Sequence, residues 1–201
     1  QDHVIHFYQL QAMDWVDVMS ALKADPAETA AIAKSLSDWP LSSAAYFAGV
    51  QKKLKDSIAY GQYSIFTNGY WGHPAYKLPP EVNLLGVAHY LQALVWQRDM
   101  IKIHTILGGK NPHPNFLVGG MACAINMNND QAINQFSLSY LKQLVQTCHD
   151  FIHKVYYPDI VAIAGFYKDY AHIGASNPNF FCTGAPSEIN TGAPAGKGMI
   201  K

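Results

Sequence analysis

The sequence predicts a mainly α-helical protein with long loops, on three observations. Apolar residues recur at helical spacing through most of the chain. Proline–acid pairs and glycines punctuate those runs where helices begin and end. Only one short run, "FLVGGMACAI", has the length and flanks of an extended segment, near 115–126.

The elements follow in order. From Asp2 to about Lys23 the residues Val4, Phe7, Tyr8, Met13, Val16, Val18 and Leu22 and their apolar neighbours nearly encircle a helix, as in an element buried on most sides. "ADPAET" then offers Asp25 as N-cap, Pro26 at the first helical position and Glu28 three residues past the cap, a capping box opening a short helix to about Leu36. A third helix is predicted from Ser43 to Tyr60, stopped by Gly61. "TNGYWGHPAYKLPPE" carries too many Gly and Pro breaks for regular structure. The clearest element is a long helix opened by Pro80 and Glu81 and ended at Gly108. Two more helices are expected, from about Ser137 to Lys154 and from Pro158 to Ala171, closed by Gly174. The stretch 175–201 reads mostly as loop.

With 201 residues, 49% of them hydrophobic, the chain can bury one sizeable core, and we expect 1–201 to form a single domain. It starts without methionine inside an apolar pattern and stops just after a loop, so an internal piece of a longer protein is expected. Fourteen basic residues balance fourteen acidic ones without clustering, which argues against a nucleic-acid partner. A charged fraction of 14% points to surface hidden against a protein partner. Cys123, Cys148 and Cys182 form no C-x-x-C pair and are read as free thiols. No apolar run reaches the length of a membrane span, and no charged-then-apolar leader opens the chain.

Chemistry-bearing groups are few. Asp2 lies one helical turn before His6, and His3 one turn before it on a neighbouring row, so these residues suit either a metal pair or an acid–base pair; a hydrogen-bonded core feature is the commoner outcome for histidines on an apolar helix. The remaining histidines, His89 among them, have no second ligand type at metal spacing. "GGKNPHPNFLVGG" presents Lys110, Asn111 and His113 from a stretch stiffened by two X-Pro steps. It lacks the phosphate-loop pattern, and either a contact surface or a rigid crossover between helices fits it.

"DHVIHFYQLQAMDWVDVMSALKADP", "NGYWGHPAYKLPPE" and "GGKNPHPNFLVGG" followed by "CAIN", in this order and spacing, resemble the middle of the large subunit of uptake-type nickel–iron hydrogenases, over about Asp2 to Lys168. The resemblance implies a helical bundle core of that large-subunit type. It implies a nickel–iron center in the full-length subunit, a small-subunit partner with iron–sulfur clusters, and reversible oxidation of H2 to protons and electrons. It also implies a periplasmic or membrane-associated location, reached only indirectly through partner subunits. The family's R-x-C-G-x-C and D-P-C-x-x-C motifs, whose thiolates ligate the metals, are missing here, so this stretch is expected neither to ligate nickel–iron nor to act alone. Residue by residue, Asp2 matches the aspartate of the family's H-D-H-x-x-H-F-Y motif, over the nickel–iron site but outside its ligands. His3 and His6 match that motif's histidines, and Gln1 stands where its first histidine usually is. His113 matches the histidine of G-G-K-N-P-H-P-N, which with Lys110 would face the small subunit's nearest iron–sulfur cluster. A noncatalytic relative, such as the hydrogenase-derived subunit of respiratory complex I, is the alternative; the detailed "NPHPN" match favours the enzyme.

Overall fold

The computed structural model describes residues 1–62, 69–112 and 134–177, and every regular element among them is helical. The expected extended segment near 115–126 and nearly all of the terminal loop lie outside these residues. The chain divides into two compact units, residues 1–166 and 167–201. In the second, the described part is a single 3-10 turn, Lys168–Tyr170, and a coil in which Gly174 has a φ of 76°.

The first unit is organised around one helix. We number the α-helices α1 (Asp2–Ile5), α2 (Ala12–Trp15), α3 (Val18–Ala21), α4 (Pro26–Leu36), α5 (Ala44–Ala59), α6 (Pro80–Gly108), α7 (Gln135–Phe151) and α8 (Tyr157–Phe166). A π-helical segment, His6–Gln11, joins α1 to α2, and a second, Ile152–Tyr156, joins α7 to α8. Helix α6, about 44 Å long at 1.5 Å per residue, packs against α1, α3, α4, α5 and α7. Every residue from Val82 to Tyr90 is buried, as a helix enclosed on all sides requires. Pro80 sits at its first turn and Gly109 ends it in the left-handed conformation, φ 77°. Gly86 makes the packing possible, because a Cβ there would lie 2.8 Å from Val16 Cγ2.

The first helix and the C-terminal pair differ from the sequence expectation, each for a local reason. The first does not run to Lys23: Val16 and Asp17 are extended, and the Asp17 carboxylate caps α3 by accepting from Met19 N (2.9 Å) and Ser20 N (3.0 Å). The apolar pattern continues through the break because the buried face does. Asp17 Oδ2 also accepts from Gly72 N at 2.8 Å, and the Asp17 backbone N–H donates to Asn83 Oδ1 at 2.8 Å, so one buried residue ties the Gly- and Pro-rich loop to α6. At the C-terminal end, the two expected helices are one continuous run through the second π segment, with Pro158 just beyond it. The Asp25 cap forms as expected, accepting from Ala27 N, but the Asp25 N–H donates to Glu81 Oε1 of α6 (3.2 Å) instead of to Glu28.

The π segments have a sequence cause. Val4, Tyr8, Ala12 and Val16 are all buried, and so are Phe151, Val155, Asp159 and Ile163. On an α-helix with about 3.6 residues per turn, a strict four-residue stripe drifts by roughly 40° at each step. A wider turn with i→i+5 bonding takes up that drift and keeps the stripe facing the core.

Candidate functional site at the first helix

Asp2, His3 and His6 all point away from the core that Val4 and Tyr8 enter. The side chains of Asp2 and His3 are 91% and 90% exposed, with Asp2 Oδ2 3.9 Å from His3 Nδ1. His6 is exposed and has no hydrogen-bond partner among the described residues. The turn is therefore a polar face on an otherwise apolar element, free to bond whatever covers it.

Beneath it lies a second polar group that the sequence reading missed. Asp159, 4% exposed, accepts a hydrogen bond from Tyr8 Oη at 2.6 Å and faces His89 Nδ1 with both carboxylate oxygens, at 3.0 and 2.8 Å. Tyr8 comes from the first π segment, His89 from α6 and Asp159 from α8, so the cluster ties three elements together. Burial, and then the neighbouring Asp159 charge, push the Tyr8 phenol well above its ordinary range. It stays protonated and donating. His89 Nε2 is buried without a hydrogen-bond partner among the described residues. The aromatic rings around Tyr8 are T-shaped or tilted neighbours: Phe7 at 5.0 Å, Phe151 and Tyr156 at 6.2 Å. In the sequence His89 has no second ligand type at metal spacing, and Tyr8 counts among the apolar residues of the first helix. The signal was available: Tyr8 and Asp159 each occupy a position of a four-residue buried stripe, where a polar group requires a partner.

The glycine-rich stretch is described only at its start. Gly109 turns the chain out of α6, Lys110 is exposed, and Asn111 Oδ1 lies 2.5 Å from His104 Nδ1 on the last turns of α6. His113 lies outside the described residues.

The donor set of the described residues does not fit a nickel site. Among the described residues no group of three or more His, Cys, Asp or Glu side chains is placed to hold a metal ion. Cys148 is half-buried against the core with its thiol pushed up by desolvation, the wrong setting for a thiolate ligand. Cys123 and Cys182 lie outside the described residues.

A helical core with a polar turn riding on its first helix is the frame in which the comparisons with known proteins fall. Residues 1–200 match the family described as nickel-dependent hydrogenase, and the chain belongs to that family. It is 55% identical over 176 residues to the uptake hydrogenase large subunit of Rhizobium leguminosarum bv. viciae, covering 86% of this chain and 30% of that one. It is 54% identical over 176 residues to the hydrogenase-1 large chain of Escherichia coli strain K12, with the same coverage. Against the uptake hydrogenase large subunit of Rhodobacter capsulatus it is 45% identical over 200 residues, 91% of this chain and 34% of the relative. The chain thus spans about a third of the length of these relatives.

Proposed function

We propose that this chain forms the central part of a nickel–iron hydrogenase large subunit that catalyses the reversible oxidation of H2, its electrons passing to iron–sulfur clusters of a small subunit. The family match over residues 1–200 carries this reading. The nickel–iron center is assigned to thiolates of such a subunit that this stretch does not supply, and no step through it is derived from these residues.

Asp2 borders the nickel–iron site in this reading and belongs to the polar surroundings that hold charge there, without ligating the metals. Among the described residues its carboxylate has His3 alone as a neighbouring charge partner, so in the assembled subunit it holds an ordered water or a proton-bearing neighbour, with His3 and His6 completing a polar face. Lys110 and His113 face the small subunit, where hydrogen bonds to a cluster region tune its potential. Exposed apolar side chains support a covered surface: Leu10 is 67% exposed and Phe136 81%. A periplasmic or membrane-associated location through partner subunits goes with this reading; among the described residues no helix is long and apolar enough to cross a membrane.

The test uses the complete subunit with its partner. Asp2→Asn retains nickel and subunit pairing while hydrogen-dependent dye reduction slows, roughly ten- to ten-thousand-fold for a group of this kind. His113→Ala shifts the cluster potential more than the rate. Loss of nickel in Asp2→Asn, or an unmodified rate with metal present, refutes the role of Asp2. Absence of hydrogen-dependent dye reduction in the unmodified, nickel-loaded complex refutes the enzyme and favours the noncatalytic relative.

A further inference from the structure

We propose that Asp159, with Tyr8 and His89, is a positioning group that fixes the Asp2–His6 turn; this rests on the reading of that turn as part of the hydrogen-oxidising site. A directional bond downstream, from Tyr76 Oη to Met13 O at 2.7 Å, holds α2 and not the Asp2–His6 turn. Val4 and Tyr8 share one buried apolar cluster with Tyr90, Ala93, Trp96 and Met100 of α6 and Val155 of the second π segment. Such contacts are non-directional and allow the helix to slide or roll by fractions of a turn. The bond from Tyr8 Oη to Asp159 is directional, 2.6 Å long and buried, and the carboxylate is itself fixed by His89 of α6. Each polar member of a buried network has one arrangement that satisfies it, so the network selects one register from the several that packing tolerates.

Place in the helix gives this register a consequence. Tyr8 lies inside the wide turn, two residues beyond His6 and six beyond Asp2. A π segment relaxed to regular α-helix would turn the residues on one side of it by about 100° relative to the other, the rotation of one residue. The exposed Asp2, His3 and His6 would then leave the face they share. The second π segment meets the first through Phe7 and Tyr156, whose rings are 5.6 Å apart, and Asp159 follows directly in α8. The carboxylate thus sits where both irregular turns can be held at once.

The experiment uses the complete subunit with its partner and four variants: Tyr8→Phe, Asp159→Asn, Asp2→Asn and the double variant Tyr8→Phe/Asp2→Asn. Nickel content, hydrogen-dependent dye reduction and amide hydrogen exchange of the peptide covering residues 2–12 are measured on each. Tyr8→Phe, which deletes one oxygen and keeps the ring, is expected to retain nickel, exchange faster in this peptide and run about ten- to a hundredfold slower, the scale for groups that orient others. The double variant is expected to be no slower than its slower parent, because Tyr8 acts through the turn that Asp2 already disables. Unchanged exchange, faster exchange with an unchanged rate, or losses that multiply in the double variant would each overturn the proposal. If Asp159→Asn does not accumulate, Tyr8→Phe decides alone. An unmodified rate in Asp2→Asn counts against the role of Asp2, while exchange and rate in Tyr8→Phe still decide whether the cluster positions the turn.

Discussion

Tyr8 is the residue at which burial, hydrogen bonding and charge are most tightly combined. Its hydroxyl gives a buried carboxylate one of its partners, and truncating a member of such a buried pair typically costs about 3–5 kcal/mol. Tyr8→Phe removes a neutral donor and leaves His89 in place, so its cost lies nearer the 1.5–3 kcal/mol of a hydrogen bond to a charged group, about half of that range or less if His89 compensates. The pH dependence has a definite sign. The folded-state value of the phenol is raised, so the stability it contributes is complete below its unfolded value, about pH 10, and is lost as pH climbs from there toward the folded value. Denaturant midpoints of the complete subunit therefore fall more steeply above about pH 10 with Tyr8 than with phenylalanine, while at neutral pH the phenylalanine variant is the weaker. Parallel curves at alkaline pH would contradict this.

The elements were legible in the sequence wherever punctuation and periodicity agreed. Asp25–Pro26, Ser43 with Gly61, and Pro80 with Gly108–Gly109 mark α4, α5 and α6 to within about a residue, because a cap, a fixed proline φ and a left-handed glycine are local requirements. The break at Val16–Asp17 was not legible, since Asp17 finds partners distant in sequence, its carboxylate accepting from Gly72 N and its backbone N–H donating to Asn83 Oδ1. The same holds for Glu81 at the Asp25 cap, and for Asp159, whose partners are 70 and 151 residues away. The exposed side of the first helix was readable as polar from Asp2, His3 and His6; the cluster below it needed the tertiary fold. Between elements, Gly86 carries the closest approach. A methyl group there must displace Val16, an overpacking cost of about 1–3 kcal/mol against the 0.5–1 kcal/mol gained from replacing a helical glycine. Gly86→Ala is expected to lower the thermal midpoint of the complete subunit, and an unchanged or higher midpoint would show that Val16 yields easily.

At the scale of the whole molecule, a 201-residue chain at neutral net charge matches the nickel-dependent hydrogenase family over residues 1–200, and among its described residues no group of three or more His, Cys, Asp or Glu side chains is placed to hold a metal ion. Expressed alone, it is expected to bind no stoichiometric nickel, because soft metal sites need thiolate groups that it does not offer in pairs. Elemental analysis finding about one nickel per purified chain would contradict this. The wide turn at His6–Gln11 finally bears on which changes such a subunit can absorb over time. With buried side chains every fourth position on both sides of that turn, from Val4 to Val16, the stretch is locked in length more than in composition. A conservative replacement at Ile5 or Gln9 leaves the count intact. Loss or gain of a single residue there slides every later anchor out of step, and with it the tyrosine that reaches Asp159, so this stretch should accumulate substitutions while rejecting insertions and deletions.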